Sequence, residues 1–309
     1  MQFSVTILGS NSALPTSERF PTAQVLNASE RFFLIDCGEG TQLQLRRNKI
    51  RFNRINHIFI SHLHGDHCFG LIGLISTFSL LGRKPDLHIY GHADLHKVFK
   101  PQIDYFCRDI SFKVVFHAID PHQQEIIYDD DKISVETIPM KHRIPTCGFL
   151  FREKPRDKHV IRDMLDFYQV PLKSIALIKK GEDFTTIEGE VVPNEKLTKP
   201  AAPPRSYAFC SDTAYNEKII DQIRGVDLMY HEATFLDDKE SLAKSTFHST
   251  AKQAALLALK AEVKKLIIGH FSTRYFDLDP FQQQAQSVFP NTQLAKEGRV
   301  FEIPYIPNL

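Results

Sequence analysis

The decapeptide from Ser61 to Gly70, "SHLHGDHCFG", puts His62, His64, Asp66 and His67 within a few positions of one another. Buried in a protein core, each of these polar groups would need its own hydrogen-bond partner; a bound cation satisfies them together. Imidazole and carboxylate donors without thiolate suit zinc in an open, reactive site, and the same donor types also accept iron or manganese. Gly65 lets the backbone turn tightly so that side chains two apart, and then adjacent, converge on one point. On the motif alone the competing reading is a solvated polar loop. The remaining donors of such a site are expected singly at strand ends. His142 follows "KISVETIPM", Asp212 follows "YAFC", and His270 follows "KLIIG". His57, His88, His92, His96, His117, His122 and His159 have no motif around them and are read as surface or core residues.

The elements that must position these donors are legible as β-branched and aromatic runs. "FSVTILG" and "RFFLIDCG" read as strands, the second ending in the polar Asp36, and "EGTQLQLRRN" has helical spacing. "HIFI" is a short strand running directly into the motif, which places the motif on a loop and not inside a helix. Strands are expected at "LHIYG", "FKVVFHAI", "KISVETIPM", "CGFLFRE", "SYAFCSDT", "VDLMYHEAT", "KLIIGHFS" and near "GRVFEIPYI". "ADLHKVFKPQIDYF", "STAKQAALLALKAEV" and "FQQQAQSVF" read as helices. From 152 to 205 the chain is charge-rich, with six prolines and weak periodicity, and reads as an inserted arm. Strands mixed with helices on both sides of such an insertion predict a two-sheet α/β sandwich, one domain over 1–309.

Composition bounds the partners. A formal net charge of +1 gives no global basic field, so a nucleic acid would have to be met by local clusters such as Arg46 to Arg54, Arg152 to Lys158, or Lys179 with Lys180; taken alone, each reads first as a solvated face. The five cysteines are scattered and form no C-x-x-C pair, which argues against a disulfide framework or a thiolate metal knot. No run of about 18 apolar residues is present and "MQFSVTILGS" has no cationic leader before its short apolar run, so a cytoplasmic protein without a membrane span is expected.

Over nearly its whole length the chain resembles the metallo-β-lactamase superfamily and, within it, the ribonuclease Z family. The motifs that carry this are "LIDCGEGTQLQL", "SHLHGDHCFGL", "MKHRIPTCGF", "FCSDT", "YHEATF", "FHSTAKQAA" and "GHFSTRY". The resemblance implies an αββα sandwich, two mixed β-sheets flanked by helices with an inserted flexible arm, and two Zn2+ per subunit. It assigns His62, His64 and His142 to the first zinc, Asp66, His67 and His270 to the second, and Asp212 as a bridge. It also implies cleavage of precursor tRNA 3′ to the discriminator base, leaving a 3′-hydroxyl on the tRNA and a 5′-phosphate on the trailer, by a homodimer. Asp66 would accept the proton of the attacking water. His248, in "FHST", is a proton donor suited to the leaving 3′-oxygen, with Glu232, in "HEAT", orienting it; the plainer reading of that pair is a surface ion pair. His231 is read as partially buried support. Thr41 and Gln42 either support the metal face or simply join strand to helix. Ser249 and Thr250 are candidate helix caps.

Two departures from the family pattern stand out. The arm lacks a Gly-Pro pair, and "LPTSERFPTA" stands where a Pro-x-Lys-x-Arg-Asn loop is usual. Other readings compatible with the residues are a small-molecule hydrolase of the same superfamily, acting on a lactone, a β-lactam or a small phosphodiester, and a non-catalytic RNA-binding protein with structural metal.

Overall fold

The computed structural model describes residues 2–305. With strands numbered in chain order, β1 (Phe3–Gly9), β2 (Ala23–Ala28), β3 (Arg31–Ile35), β4 (Ile55–Phe59), β5 (Leu87–His92), β6 (Val114–Ile119) and β18 (Val300–Glu302) form one sheet in the order β18-β1-β2-β3-β4-β5-β6. It is antiparallel from β18 to β3 and parallel from β3 to β6. A second sheet joins β7 (Ile126–Asp129), β8 (Ile133–Pro139), β9 (Cys147–Glu153), β14 (Ser206–Cys210), β15 (Leu228–Glu232), β16 (Leu266–Gly269) and β17 (Thr292–Leu294) in the order β17-β16-β15-β14-β9-β8-β7. Here β14 to β17 are parallel and β9 is antiparallel to β14.

The inner faces meet in one aromatic core, with Phe33 and Phe59 from the first sheet and Phe149, Phe151, Phe209 and Tyr230 from the second. Fully burying a side chain of this kind contributes about 1.5–3 kcal/mol. Helices cover both outer faces. On the first sheet lie α1 (Thr41–Arg47), α3 (Leu71–Leu80) and α4 (Asp94–Phe106), the one-turn α2 (Gly65–Cys68) preceding α3. On the second lie α8 (Ile220–Ile223), α10 (Ala251–Lys260) and α11 (Asp279–Gln286), with α9 (Glu240–Thr246) leading into α10. Ala251, Ala254, Ala255 and Ala258 form the buried stripe of α10. Thr250 caps this helix in a reciprocal capping box with Gln253, as expected. The layers are therefore αββα.

The expected strands and helices are present, and the structure adds elements the sequence reading passed over. β2 is buried at all six positions, Gln24 and Asn27 included, so it shows no alternation. α3 is apolar almost throughout, the case in which periodicity cannot separate a buried helix from a buried strand. β7 and β17 are four and three residues long. The histidines without a motif include His57, His88 and His117 on neighbouring strands of the first sheet, His57 stacking on His88, His88 on His117, and His117 on Tyr90. All five cysteines are buried and unpaired. Among the described residues no helix is long and apolar enough to cross a membrane.

Residues Glu153–Arg205, together with Pro304 and Tyr305, form a separate compact unit. It holds α5 (Arg162–Phe167), α6 (Leu172–Lys179), α7 (Asn194–Leu197) and two short antiparallel pairs, β10 (His159–Val160) with β13 (Thr198–Lys199) and β11 (Phe184–Thr185) with β12 (Val191–Val192). Leu165, Ile178, Phe184, Val192 and Leu197 make its core. Its elements span two to eight residues, too short for helical or strand periodicity to register in a sequence window. At its ends Arg205 donates to both carboxylate oxygens of Glu153, at 2.9 and 2.8 Å, a buried bidentate pair.

Candidate metal centre

Each candidate donor follows the C-terminal end of a strand: the Ser61–His67 stretch after β4, His142 after β8, Asp212 after β14, His270 after β16. In open α/β sheets this is where loops are free to build a site. The loop expectation for the motif needs one correction. His62 and His64 are on the loop, but Asp66 and His67 lie on α2. Gly65 opens that helix for a reason other than backbone freedom. A Cβ there would fall 2.2 Å from the Phe69 ring, so Gly65 makes room for the ring.

Seven donors converge in two sets. In the first, His64 Nδ1 stands 3.0 Å from His62 Nε2 and 3.2 Å from His142 Nε2, and Asp212 Oδ2 is 3.7 and 3.8 Å from the same two Nε2 atoms. In the second, Asp66 Oδ2 and Asp212 Oδ1 each face His67 Nε2 at 3.5 Å, and lie 3.4 and 3.3 Å from His270 Nε2. Nitrogens bound 2.0–2.1 Å from one tetrahedral ion stand roughly 3.3 Å apart, so both sets are spaced as ligands around a shared point. His67 Nε2 and Asp212 Oδ1 are buried without any hydrogen-bond partner, a costly state that a cation between them would relieve. The residues therefore fit a metal centre in which Asp212 turns one oxygen to each set.

The electrostatics agree. Burial lowers the proton affinity of His62, His64 and His142, leaving neutral imidazoles with lone pairs to give. Burial also opposes charge on His67, but Asp212, Asp66 and Asp36 outweigh it and hold its pKa well above the usual value. That potential well for a proton is equally one for a cation.

Two buried carboxylates aim the rings. Asp36 Oδ2 accepts from His67 Nδ1 at 2.7 Å and from Ser61 Oγ at 2.9 Å, and Ser61 Oγ in turn accepts from His62 Nδ1 at 3.0 Å. Glu232 Oε1 accepts from His248 Nδ1 at 2.8 Å, while its Oε2 accepts from Thr234 Oγ1 at 2.9 Å, and Thr234 Oγ1 accepts from His270 Nδ1 at 2.9 Å. The Phe247 carbonyl takes His142 Nδ1 at 2.9 Å. With Nδ1 occupied, Nε2 of each of these ligand rings points inward. Asp36, Ser61, Thr234 and Phe247 were not among the expected site residues; the only local signal was a polar Asp36 closing an apolar strand.

This convergence is bought with backbone strain. Asp36, Phe247 and His270 have φ of 55°, 60° and 62°, and so does Ala13 at 50°, whose N–H donates to Asp66 Oδ2 at 2.8 Å. Non-glycine residues in this region cost about 1–3 kcal/mol each and persist only where surroundings fix them. For Ala13 the fixing group is Glu297, whose Oε1 accepts from Ser10 N, Ser10 Oγ and Phe20 N and so ties both ends of the loop between them.

Around the centre, Glu232 is fully buried and also accepts from Thr213 N, Thr234 N and Ser249 N, so it is no surface ion pair. Burial opposes charge on His248, but Glu232 prevails and raises its pKa to about 9. His231 is completely buried, its Nδ1 on the Glu232 carbonyl, in place of the partial burial expected. Thr41 Oγ1 donates to the Gly38 carbonyl at 2.7 Å. A Cβ on Gly38 would lie 2.4 Å from the Asp66 carbonyl oxygen, so the "GEGTQ" turn packs directly on the metal loop. Ser249 hydroxyl donates to the Thr213 carbonyl and leaves the capping to Thr250.

Replacing Asp36 by Asn puts an amide where His67 and Ser61 both need an acceptor. We expect cation affinity to fall about 10–100-fold, read by competition with a fluorescent chelator; an unchanged affinity would show that Asp36 does not orient the ligands.

Comparison with known proteins places this geometry. Residues 3–165 match the family described as Anti-Pycsar protein Apyc1, a stretch that includes the Ser61–Gly70 motif and His142 but ends before Asp212, Glu232, His248 and His270. A Ribonuclease Z of Phocaeicola vulgatus is 57% identical over 296 residues, 96% of each chain, and so spans all of them. One of Bacteroides thetaiotaomicron is 55% identical over 98% of this chain and 96% of its own. The crystal structure of the short form of human tRNase Z superposes with a TM-score of 0.72 at 27% identity, covering 97% of this chain and 99% of that one. With the αββα layers, the converging donors and near full-length identity to such relatives, the chain belongs to the ribonuclease Z family.

Proposed function

We propose that this protein is a zinc-dependent endoribonuclease that cuts precursor tRNA 3′ to the discriminator base, leaving a 3′-hydroxyl on the tRNA and a 5′-phosphate on the trailer. The observation that carries this reading is Asp212 dividing its two oxygens between two donor sets, with His248, held from behind by buried Glu232, lining the same cleft. Two divalent cations held there, zinc by donor type, would lower the pKa of a shared water towards about 7 and neutralise the oxygens of an in-line displacement at phosphorus. His62, His64 and His142 would hold one, Asp66, His67 and His270 the other, and Asp212 both. Asp66, its Oδ2 steadied by Ala13 N–H, accepts the proton of the attacking water. His248 donates Nδ1–H to Glu232, which leaves Nε2 as the ring atom that delivers a proton to the departing 3′-oxygen. The test is incubation of purified, metal-loaded protein with precursor tRNA and end-mapping of the products. A single cut after the discriminator base is expected; cleavage only of small phosphodiesters, lactones or β-lactams would overturn the reading.

The arm, 152–205, serves in this proposal as the tRNA-binding exosite of a homodimer. Lys154, Arg156, Lys179 and Lys180 are its phosphate contacts, and exposed Leu80 and Leu81 at the end of α3, with Val98, Tyr105 and Phe106 on α4, supply apolar surface for a second subunit. Deleting residues 155–200 is expected to weaken precursor binding at least tenfold and to flatten its salt dependence, with sedimentation giving the dimer mass for the intact chain. Equal affinity of the truncated form would refute the exosite. Buried, unpaired cysteines fit a reducing compartment such as the cytoplasm.

A further inference from the structure

The cleft that contains the candidate metal ligands has a volume of about 820 Å³, and its lining is not uniformly polar. Phe69, the residue that follows α2, also lines it and is 68% exposed, although the chain buries aromatics such as Phe59, Phe78 and Phe271 almost completely. The Phe69 ring packs on Gly65, the residue between His64 and Asp66, so closely that a Cβ there would fall 2.2–2.7 Å from three of its carbons. One side of the ring thus lies beside the Cα of Gly65 on the metal loop, and the exposed remainder is offered to the cleft.

The same cleft carries Arg143, next to His142, and Arg274, four residues after His270. Both are exposed, and neither forms an ion pair among the described residues. An exposed aromatic ring and two guanidinium groups with no carboxylate partner, Arg274 donating to Ser272 Oγ at 3.4 Å, around a reaction centre match a ligand that alternates flat bases with phosphates. A small polar or purely lipophilic substrate would leave either the charges or the ring without a partner.

Resting on the proposed nuclease activity, we propose that Phe69 is a positioning residue that stacks on a nucleobase flanking the scissile phosphate, so fixing which phosphate reaches the metal centre. Gly65 is then part of the same device, because it admits the ring. The stack needs no hydrogen-bond readout, so it sets register without demanding a particular base.

The test is a cycle of enzyme and substrate changes, using precursor tRNA that is intact, abasic at the discriminator nucleotide, or abasic at the first trailer nucleotide. Stacking on one base is worth about 1–3 kcal/mol, so Phe69→Leu is expected to lower kcat/KM on intact RNA about five- to a hundredfold and to scatter the cut among neighbouring phosphates. Phe69→Trp is expected to restore both. On one of the two abasic substrates the penalty of Phe69→Leu should vanish, which a merely structural role would not produce. Wild-type behaviour of Phe69→Leu, or an undiminished penalty on both abasic substrates, overturns the inference. Failure of the wild-type protein to cut intact precursor at all would instead strike the activity reading.

Discussion

Removing divalent cations with a chelator will abolish cleavage and lower the melting temperature together, and both will return when zinc is restored. Four of the seven donors, His62, His67, Asp212 and His270, are at most 2% exposed, and His64, Asp66 and His142 are half-buried at the cleft. Without a cation, Asp66 and Asp212 share a small volume with His67 Nε2 and Asp212 Oδ1 unpartnered. A ligand that binds only the folded state stabilises it by about 4 kcal/mol at a thousandfold excess over Kd, which corresponds to a shift of several degrees in a chain of this size. Asp212→Ala should reproduce the catalytic loss. One preorganised electrostatic group is commonly worth about 10²–10³ in rate, and Asp212 faces both donor sets, so a loss above about 10³ is expected. Its stability should behave differently. The variant lacks the carboxylate that makes the empty centre unfavourable, so chelator should barely move its melting temperature. Full activity in protein shown by elemental analysis to be free of divalent metal would end the metal-centre account.

The second large effect separates His248 from Glu232. Replacing His248 by Ala removes the proposed proton donor while leaving Thr234 to hold His270, so kcat should fall about 10²–10⁴-fold with bound metal unchanged. Glu232→Gln disturbs more. Besides His248 it changes the acceptor for Thr213 N, Ser249 N, Thr234 N and Thr234 Oγ1, and through Thr234 it loosens His270. Leaving one buried donor unsatisfied costs about 1–3 kcal/mol, so this variant should lose stability and metal as well as rate. The comparison also tests a second role for His248, which lies within 4.8 Å of Asp212 and His270 in a grouping that could itself hold an ion. Metal lost from His248→Ala would make it a ligand; a wild-type rate would remove it from the chemistry.

Much of this candidate site is legible in the chain because a metal centre would impose residue types and local spacing. His62, His64, Asp66 and His67 declare themselves within one short stretch, and His142, Asp212 and His270 each stand just beyond an apolar strand whose pattern is plain. The family motifs extend that reading across the chain. What sits behind the ligands is harder to read. Asp36 and His67 are 31 positions apart, and His142 and Phe247 are 105 apart; hydrogen-bond partners at such separations leave no periodic trace. β2 escaped notice because a strand buried on both faces does not alternate, and the short elements of the arm because they span less than a sequence window.

The chain alone therefore determined the donor chemistry, the sandwich that carries it and the family, since each follows from residue type, local spacing or strand period. Only the tertiary structure decided which oxygen of Asp212 faces which donor set, that Asp36 and Glu232 aim the rings through Ser61 and Thr234, and that Phe69 rests on Gly65 at the mouth of the cleft. These are matters of direction between segments distant in sequence, and direction is set by how the two sheets pack and by the left-handed backbone turns at Ala13, Asp36, Phe247 and His270, which local preference disfavours and only the assembled core enforces.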